Sequence, residues 1–211
     1  MLIFYKPIRL TMGLLFSGIS FSSCTTVSSS EQQATEVLQT IRFQEGDIVF
    51  REGRGWESRI IQMMNPHGKY THAGIVTDSG STWMVIHAVP NEPDYEGDVD
   101  RVKMEPVTAF FDQSRAIHGE VKRIDDTDKA QKAASVAFRL YRQHTPFDHA
   151  YDDTDSTRMY CTELVDFAFR KAGINLTDKQ DRRNGFTGFT GNYLFPSDLC
   201  ESPYLTSIFK F

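Results

Sequence analysis

The run from Thr71 to Val89 most restricts what this chain can become. Two apolar, β-branched stretches, Thr71 to Thr77 and Trp83 to Val89, flank the turn signal Asp78-Ser79-Gly80-Ser81. That pattern predicts a β-hairpin, and a hairpin commits the surrounding sheet to antiparallel pairing. It also places His72 and His87 on neighbouring strands. Cross-strand neighbours have β-carbons about 5 Å apart, so the two imidazoles are within reach of each other.

The flanking segments extend this sheet. Gln44 to Arg51 is a turn followed by a short buried strand, and Glu120 to Ile124 and Tyr204 to Phe211 read as further strands. Trp56, Ile60, Ile61 and Met64 recur at helical spacing, and Asn65-Pro66-His67-Gly68 ends that short amphipathic helix. Val107 to Phe111 reads as a helical turn. Thr127-Asp128 caps a longer helix running to about Gln143, with Ala130, Ala133, Ala134, Ala137, Leu140 and Tyr141 inward. Asn91 to Asp100 is polar and irregular, a flap. Asp181 to Asn192 reads as a loop, and Phe195 to Leu199 as a final turn. The expected class is α+β, an antiparallel sheet packed against helices.

Arg158-Met159-Tyr160-Cys161-Thr162-Glu163-Leu164-Val165 carries the chemistry. Leu164, Val165, Ala168 and Phe169 mark an amphipathic helix, Gly173 marks its end, and Cys161 stands at its start. Unpaired N–H groups and the positive end of the helix dipole favour thiolate there, and the same groups can hold an oxyanion. The competing reading is a small buried hydrophobe. A nucleophilic thiol needs a base, and the base needs an orienting partner. His72 and His87 supply both roles without a metal. A zinc site of His72, His87 and Cys161 is disfavoured because no closely spaced ligand pair accompanies them. His67, His118, His144 and His149 fall in turns or at element ends and read as surface residues.

The N-terminus reads as a targeting segment. Lys6 and Arg9 precede an apolar run from Leu10 to Phe21, which ends in Phe21-Ser22-Ser23-Cys24. A cysteine after small residues resembles a bacterial lipobox, with Cys24 lipidated and Phe21 in place of the usual Leu. Thr25 after it, rather than Asp, points to the outer membrane, facing the periplasm. Residues 1–23 are then signal peptide, 24–42 a Ser/Thr/Gln-rich tether, and 43–211 one domain. Removing the signal leaves 21 basic residues against 28 acidic ones, a net charge of −7, which disfavours nucleic acid as a partner. It also leaves Cys161 and Cys200, which an oxidising envelope could join into a disulfide that silences the thiol.

Six segments in order carry a resemblance over residues 43–211: Gly46-Asp47-Ile48-Val49-Phe50, Tyr70-Thr71-His72-Ala73-Gly74-Ile75, Ile86-His87-Ala88-Val89, Pro146-Phe147-Asp148, Tyr160-Cys161-Thr162-Glu163-Leu164-Val165 and Pro196-Ser197-Asp198-Leu199. Together they resemble the YiiX/YebB-like permuted branch of the NlpC-type papain-like cysteine hydrolases. The resemblance implies a circularly permuted papain-like fold in which the histidine strand precedes the cysteine helix. It implies Cys161 as nucleophile, His72 as general base and His87 in the third polar position, where that branch often has Glu. It places Tyr70 and Tyr160 near the substrate cleft, and Glu163 matches an acid beside the nucleophile that is read as structural. No cofactor and no metal are implied. The substrate expected is a peptide or small-molecule amide of the envelope, with the membrane reached only through the lipid anchor. Lipid-directed thiol acyl transfer or acyl hydrolysis, in a pocket of Met63, Met64, Trp83, Phe110, Phe111 and Phe147, is the alternative. A non-catalytic binding lipoprotein is the third reading. A thiolate–imidazolium pair of Cys161 and His72 predicts a bell-shaped dependence of rate on pH.

Overall fold

The structure is a computed structural model and describes residues 38, 40–151, 155–177, 183–184 and 192–211. The segment read as a signal peptide, Cys24 and most of the 181–192 stretch read as a loop lie outside those residues. The hairpin is present: β2 (His72–Asp78) pairs antiparallel with β3 (Trp83–Val89), with Ile75 opposite Ile86 and Asp78 opposite Trp83. β1 (Ile48–Gly53) flanks β2 on its other side and places Arg51 opposite His72. β4 (Arg101–Pro106) pairs with β3, and β5 (Ala116–Arg123) pairs with β1. A two-residue ladder of β6 (Arg183–Asn184) and β7 (Asn192–Tyr193) stands apart, and β8 (Thr206–Lys210) closes the main sheet. The six strands run in the order β4-β3-β2-β1-β5-β8, all antiparallel, so the histidine strands are interior. The expected α+β class holds.

The strand β4 is an addition to the sequence reading, which stopped at the flap. Its Val102 and Met104 alternate with Arg101, Lys103 and Glu105, a period-two signal masked by the charges. The apolar side packs in the core on the helical face of the sheet, and the charged side faces the flap. Arg101 and Lys103 are buried there because Asp98 and Asp94 of the flap pair with both.

One face of the sheet packs on two helices, α3 (Thr127–Arg142) and α4 (Cys161–Ala172), through Ile48, Phe50, Ile75, Ile86, Leu164 and Phe169. The cap of α3 is Asp126, just before the expected Thr127-Asp128, and it accepts the N–H of Lys129. Gly173, at φ 91°, ends α4 in the left-handed conformation. The opposite face is covered by Phe110 and Phe111 of and just after α2 (Val107–Phe110), over Val49, Val76, Val85 and Val121. By alternation, Arg51, His72 and His87 share this second face with Val49, Val76 and Val85. α1 (Trp56–Met64) packs differently from the others, since none of its residues is buried. α5 (Pro196–Cys200) ends in Cys200, which is a free thiol, as is Cys161, so no bridge joins them.

The histidines are diagonal rather than directly opposed. Continuing the β2–β3 register puts Gly74 opposite His87, with His72 two residues along on the same face. Gly74 makes the diagonal contact possible. A β-carbon there would lie 2.5 Å from Val85 Cγ1, 3.0 Å from the Ile86 carbonyl and 3.2 Å from the His87 β-carbon. Gly74→Ala is therefore expected to cost about 1–3 kcal/mol through overpacking. Urea unfolding of the variant checks this, and an unchanged midpoint would contradict the packing.

Candidate active site

Cys161 occupies the first turn of α4. The preceding chain is sewn to the sheet: Phe147 N–H bonds Asp100 O at 2.9 Å, Met159 N–H bonds Pro146 O at 3.0 Å, and Met159 is fully buried. Glu163 steadies the helix start by accepting the Tyr160 N–H at 3.4 Å, and Thr162 Oγ1 donates to Leu194 O at 2.6 Å. Burial pushes the Glu163 carboxyl up to about 8.

The sulfur meets the first turn of β2. Backbone N–H groups of Ala73, Thr162 and Cys161 point at it, and the Arg51 charge acts in the same sense. All four favour thiolate, yet burial outweighs them and pushes the thiol up to about 11. The helix-dipole argument alone expects the opposite direction. It fails because several N–H groups do not replace the hydration a free thiolate enjoys. His72 is driven the other way. Burial, then the Arg51, His87 and Arg115 charges, hold its imidazole well below the usual histidine range. Burial thus favours the neutral form of each group, the opposite direction to the charges that the ion pair expected from sequence requires.

Behind His72 runs a chain of polar groups. His72 Nε2 lies 2.8 Å from His87 Nδ1, and His87 Nε2 lies 3.2 Å from Glu105 Oε1. The 3.2 Å contact is an ion-pair approach, since Glu105 Oε1 has no hydrogen-bond partner in proper geometry. The nearby carboxylate favours a proton on His87 Nε2; with that tautomer His87 Nδ1 accepts from His72 Nε2–H and His72 Nδ1 is the free base. Glu105 is in turn paired with Arg115 and lies 3.9 Å from Arg51. Arg51 is buried; it donates to Phe110 O at 2.9 Å and to Glu92 Oε1 at 2.8 Å, and its guanidinium lies 4.6 Å from the Phe110 ring centroid. Phe110 is stacked on His72 with centroids 5.6 Å apart and meets His87 edge-on, so one ring braces both imidazoles. Arg115 also pairs with Glu92.

Two cavities meet at Cys161. One, of about 230 Å³, lies between α1 and the segment 193–196, with Tyr151 and Tyr160 in its walls. The other, of about 410 Å³, contains His72, Arg51, Arg54 and Arg115. The structure therefore brings Cys161, His72 and His87 to one place and sets Tyr160 in the cavity wall. Tyr70 is a correction: its phenol donates to Glu120 Oε2 at 2.6 Å and its ring packs on Phe50, so it faces the core and lines neither cavity. Of the apolar residues expected in a pocket, Met64 lines the smaller cavity and Phe147 the larger. Phe110, Phe111 and Trp83 belong to the packing on the second face, and Met63 is exposed. His149, read as surface, is exposed but lines the smaller cavity beside Asp100, 3.2 Å away. Arg51, Glu92, Glu105 and Arg115 were not singled out from sequence. The alternation in β4 was the available signal for Glu105, and an arginine inside the apolar run of β1 was the signal for Arg51.

A family model described as the permuted papain-like amidase enzymes, YaeF/YiiX, C92 family, matches residues 42–209. Among solved structures, one titled as metalloprotein yiiX from Escherichia coli O157:H7 superposes with a TM-score of 0.64 at 21% identity, covering 80% of this chain and 97% of that one. No curated protein matches. The described residues do not fit a metal centre. They contain no group of three His, Cys, Asp or Glu side chains placed to hold an ion, and the facing nitrogens of His72 and His87 are bonded to each other. A direct check on the thiol is its alkylation rate by iodoacetamide, followed at Cys161 by peptide mass mapping. The rate is expected to climb with pH to a midpoint near 11, the value burial imposes. A midpoint below the ordinary thiol range would contradict it.

Proposed function

The chain belongs to the C92 family of permuted papain-like amidases, and on that premise we propose that it is a cysteine amidohydrolase in which Cys161 attacks, His72 moves the proton, and His87 and Glu105 orient His72. The observation that carries the reading is that His72, 2.8 Å from His87 and through it backed by Glu105, lines the same cavity as Cys161. Sγ adds to the amide carbonyl carbon as its proton passes to His72 Nδ1. The negative charge that develops on oxygen is held by N–H groups at the start of α4. His72 then returns the proton to the leaving amine, and water releases the acyl group from the thioester in a second round. With the resting pair neutral, as burial favours, thiolate and imidazolium form together during attack, and each stabilises the other once formed.

The location is part of the proposal. Residues 1–23 act as a signal peptide, lipid on Cys24 anchors the protein, and the substrate is an amide of the envelope, in peptides or amidated amino acids. The motif at Phe21 to Cys24 supports this. Among the described residues no helix is long and apolar enough to cross a membrane. Mass analysis of the membrane-bound protein tests the anchor, which requires an acylated N-terminal Cys24. One observation favours the lipid-directed alternative: the smaller cavity at Cys161 is walled largely by apolar side chains.

Cys161→Ser and His72→Ala are expected to lower amide turnover by at least about 10³-fold with the circular dichroism unchanged. Full turnover by Cys161→Ala would refute the assignment. Glu105→Gln, which can donate to His87 and so reverse the tautomer chain, is expected to lower kcat by about a hundredfold or more. The pH–rate profile follows from the directions of the two shifts. The base is lost only when His72 gains a proton, so the acid limb falls below 6.5. The alkaline limb, where the pair loses its shared proton, rises above the ordinary thiol value of 9. Limbs at or inside those two values would contradict the neutral resting pair.

A further inference from the structure

The two cavities differ in character, and the reacting sulfur is at their junction. On one side stands α1, a nine-residue helix with Ile60, Ile61 and Met64 toward the cavity. An amphipathic helix in a folded domain normally buries its apolar stripe, yet no residue of α1 is buried. Its apolar side chains face Leu194 and Phe195 across open space instead of packing on them. The helix is nevertheless tied in place, by Gln62 to Glu52 at 2.7 Å, Ser58 to Thr71 at 2.9 Å and Asn91 to Glu57 at 2.9 Å. An apolar wall held at a distance by polar struts is suited to an apolar guest. At about 230 Å³ the space exceeds the roughly 150 Å³ that admits a benzene in an apolar protein cavity, and it is too small for a long lipid chain.

On the other side the cavity presents Arg51, Arg54 and Arg115 against Glu57 and Glu92. The flap already shows what this surface takes, because the Glu92 carboxylate is held between Arg51 and Arg115. Arg51 Nε is buried and has no hydrogen-bond partner. Arg54 is exposed, and its Nε donates to Gln113 O at 2.7 Å. The fork of Arg54 is thus available to a second carboxylate.

We propose that the substrates are N-acyl amino acids with a medium-length or aromatic acyl group, the acyl part lying against α1 and the carboxylate of the amine part meeting Arg54 beside Arg51 and Arg115. This rests on the amidohydrolase reading, and narrows it to amides with one apolar and one anionic arm.

The test uses N-acetylglycine, N-octanoylglycine, N-palmitoylglycine and N-octanoylglycinamide with the full chain. Each added methylene is expected to raise kcat/KM about fourfold until the cavity is full, so octanoylglycine exceeds both acetylglycine and palmitoylglycine. Octanoylglycine is expected to exceed its neutral amide about tenfold, and Arg54→Ala to erase that ratio, the worth of one hydrogen bond to a charged group. Met64→Trp, which narrows the cavity, is expected to shift the optimum to shorter chains. Acetylglycine equal to octanoylglycine overturns the proposal, and so does a neutral amide turned over as well as the acid. Calorimetric binding of the same compounds to Cys161→Ala separates the two readings. The same order of affinities without turnover by the wild type supports the ligand class and refutes the hydrolase. Turnover with no order among them refutes the ligand class alone.

Discussion

The contact on which the site depends is the 2.8 Å bond between His72 and His87 across β2 and β3. Both rings are buried on the sheet face away from α3 and α4, where an unpaired imidazole would be costly. Joining them satisfies one nitrogen of each and passes the remaining demand to Glu105. Glu105 in turn needs Arg115 and Arg51, and these need Glu92. Each charge in this chain is tolerable only because the next is present, so the group behaves as one unit. Gly74 at the crossing point and Phe110 against both rings fix the distance, which ordinary strand packing would not do.

Much of the frame was legible in the sequence, because the hairpin, the Cys161 helix and α3 carry strong periodic signals. The boundaries of α1 and β3 agree with the reading residue for residue. β4 was missed because both of its faces are covered: Val102 packs in the main core while the charged Arg101 and Lys103 are buried under the flap, so charge did not mark a solvent side. The same charges hid the support for His87. Tyr70 was misplaced for a different reason: it precedes β2, so strand alternation does not set its direction, and Glu120 and Phe50 hold it in the core. The direction of the Cys161 shift could not be read at all. It depends on how much water the sulfur loses, which is a property of the assembled fold.

The site also balances two opposing requirements. Burial favours the uncharged thiol and the uncharged imidazole. The N–H groups around the sulfur and the tautomer chain behind His72 are already aligned for the charged state formed during attack. Little has to reorganise when the proton moves, and that is where a preorganised polar site gains over water.

The order of the elements along the chain has a temporal consequence. The bases come from β2 and β3, whereas the sulfur follows His72 by 89 residues and stands only 50 from the last residue. Contacts that distant form late, after the intervening sheet and α3 have collapsed. A nascent polypeptide still lacking α4 holds both imidazoles and no nucleophile. Reactivity is therefore withheld until α4 has been made and has docked on the sheet.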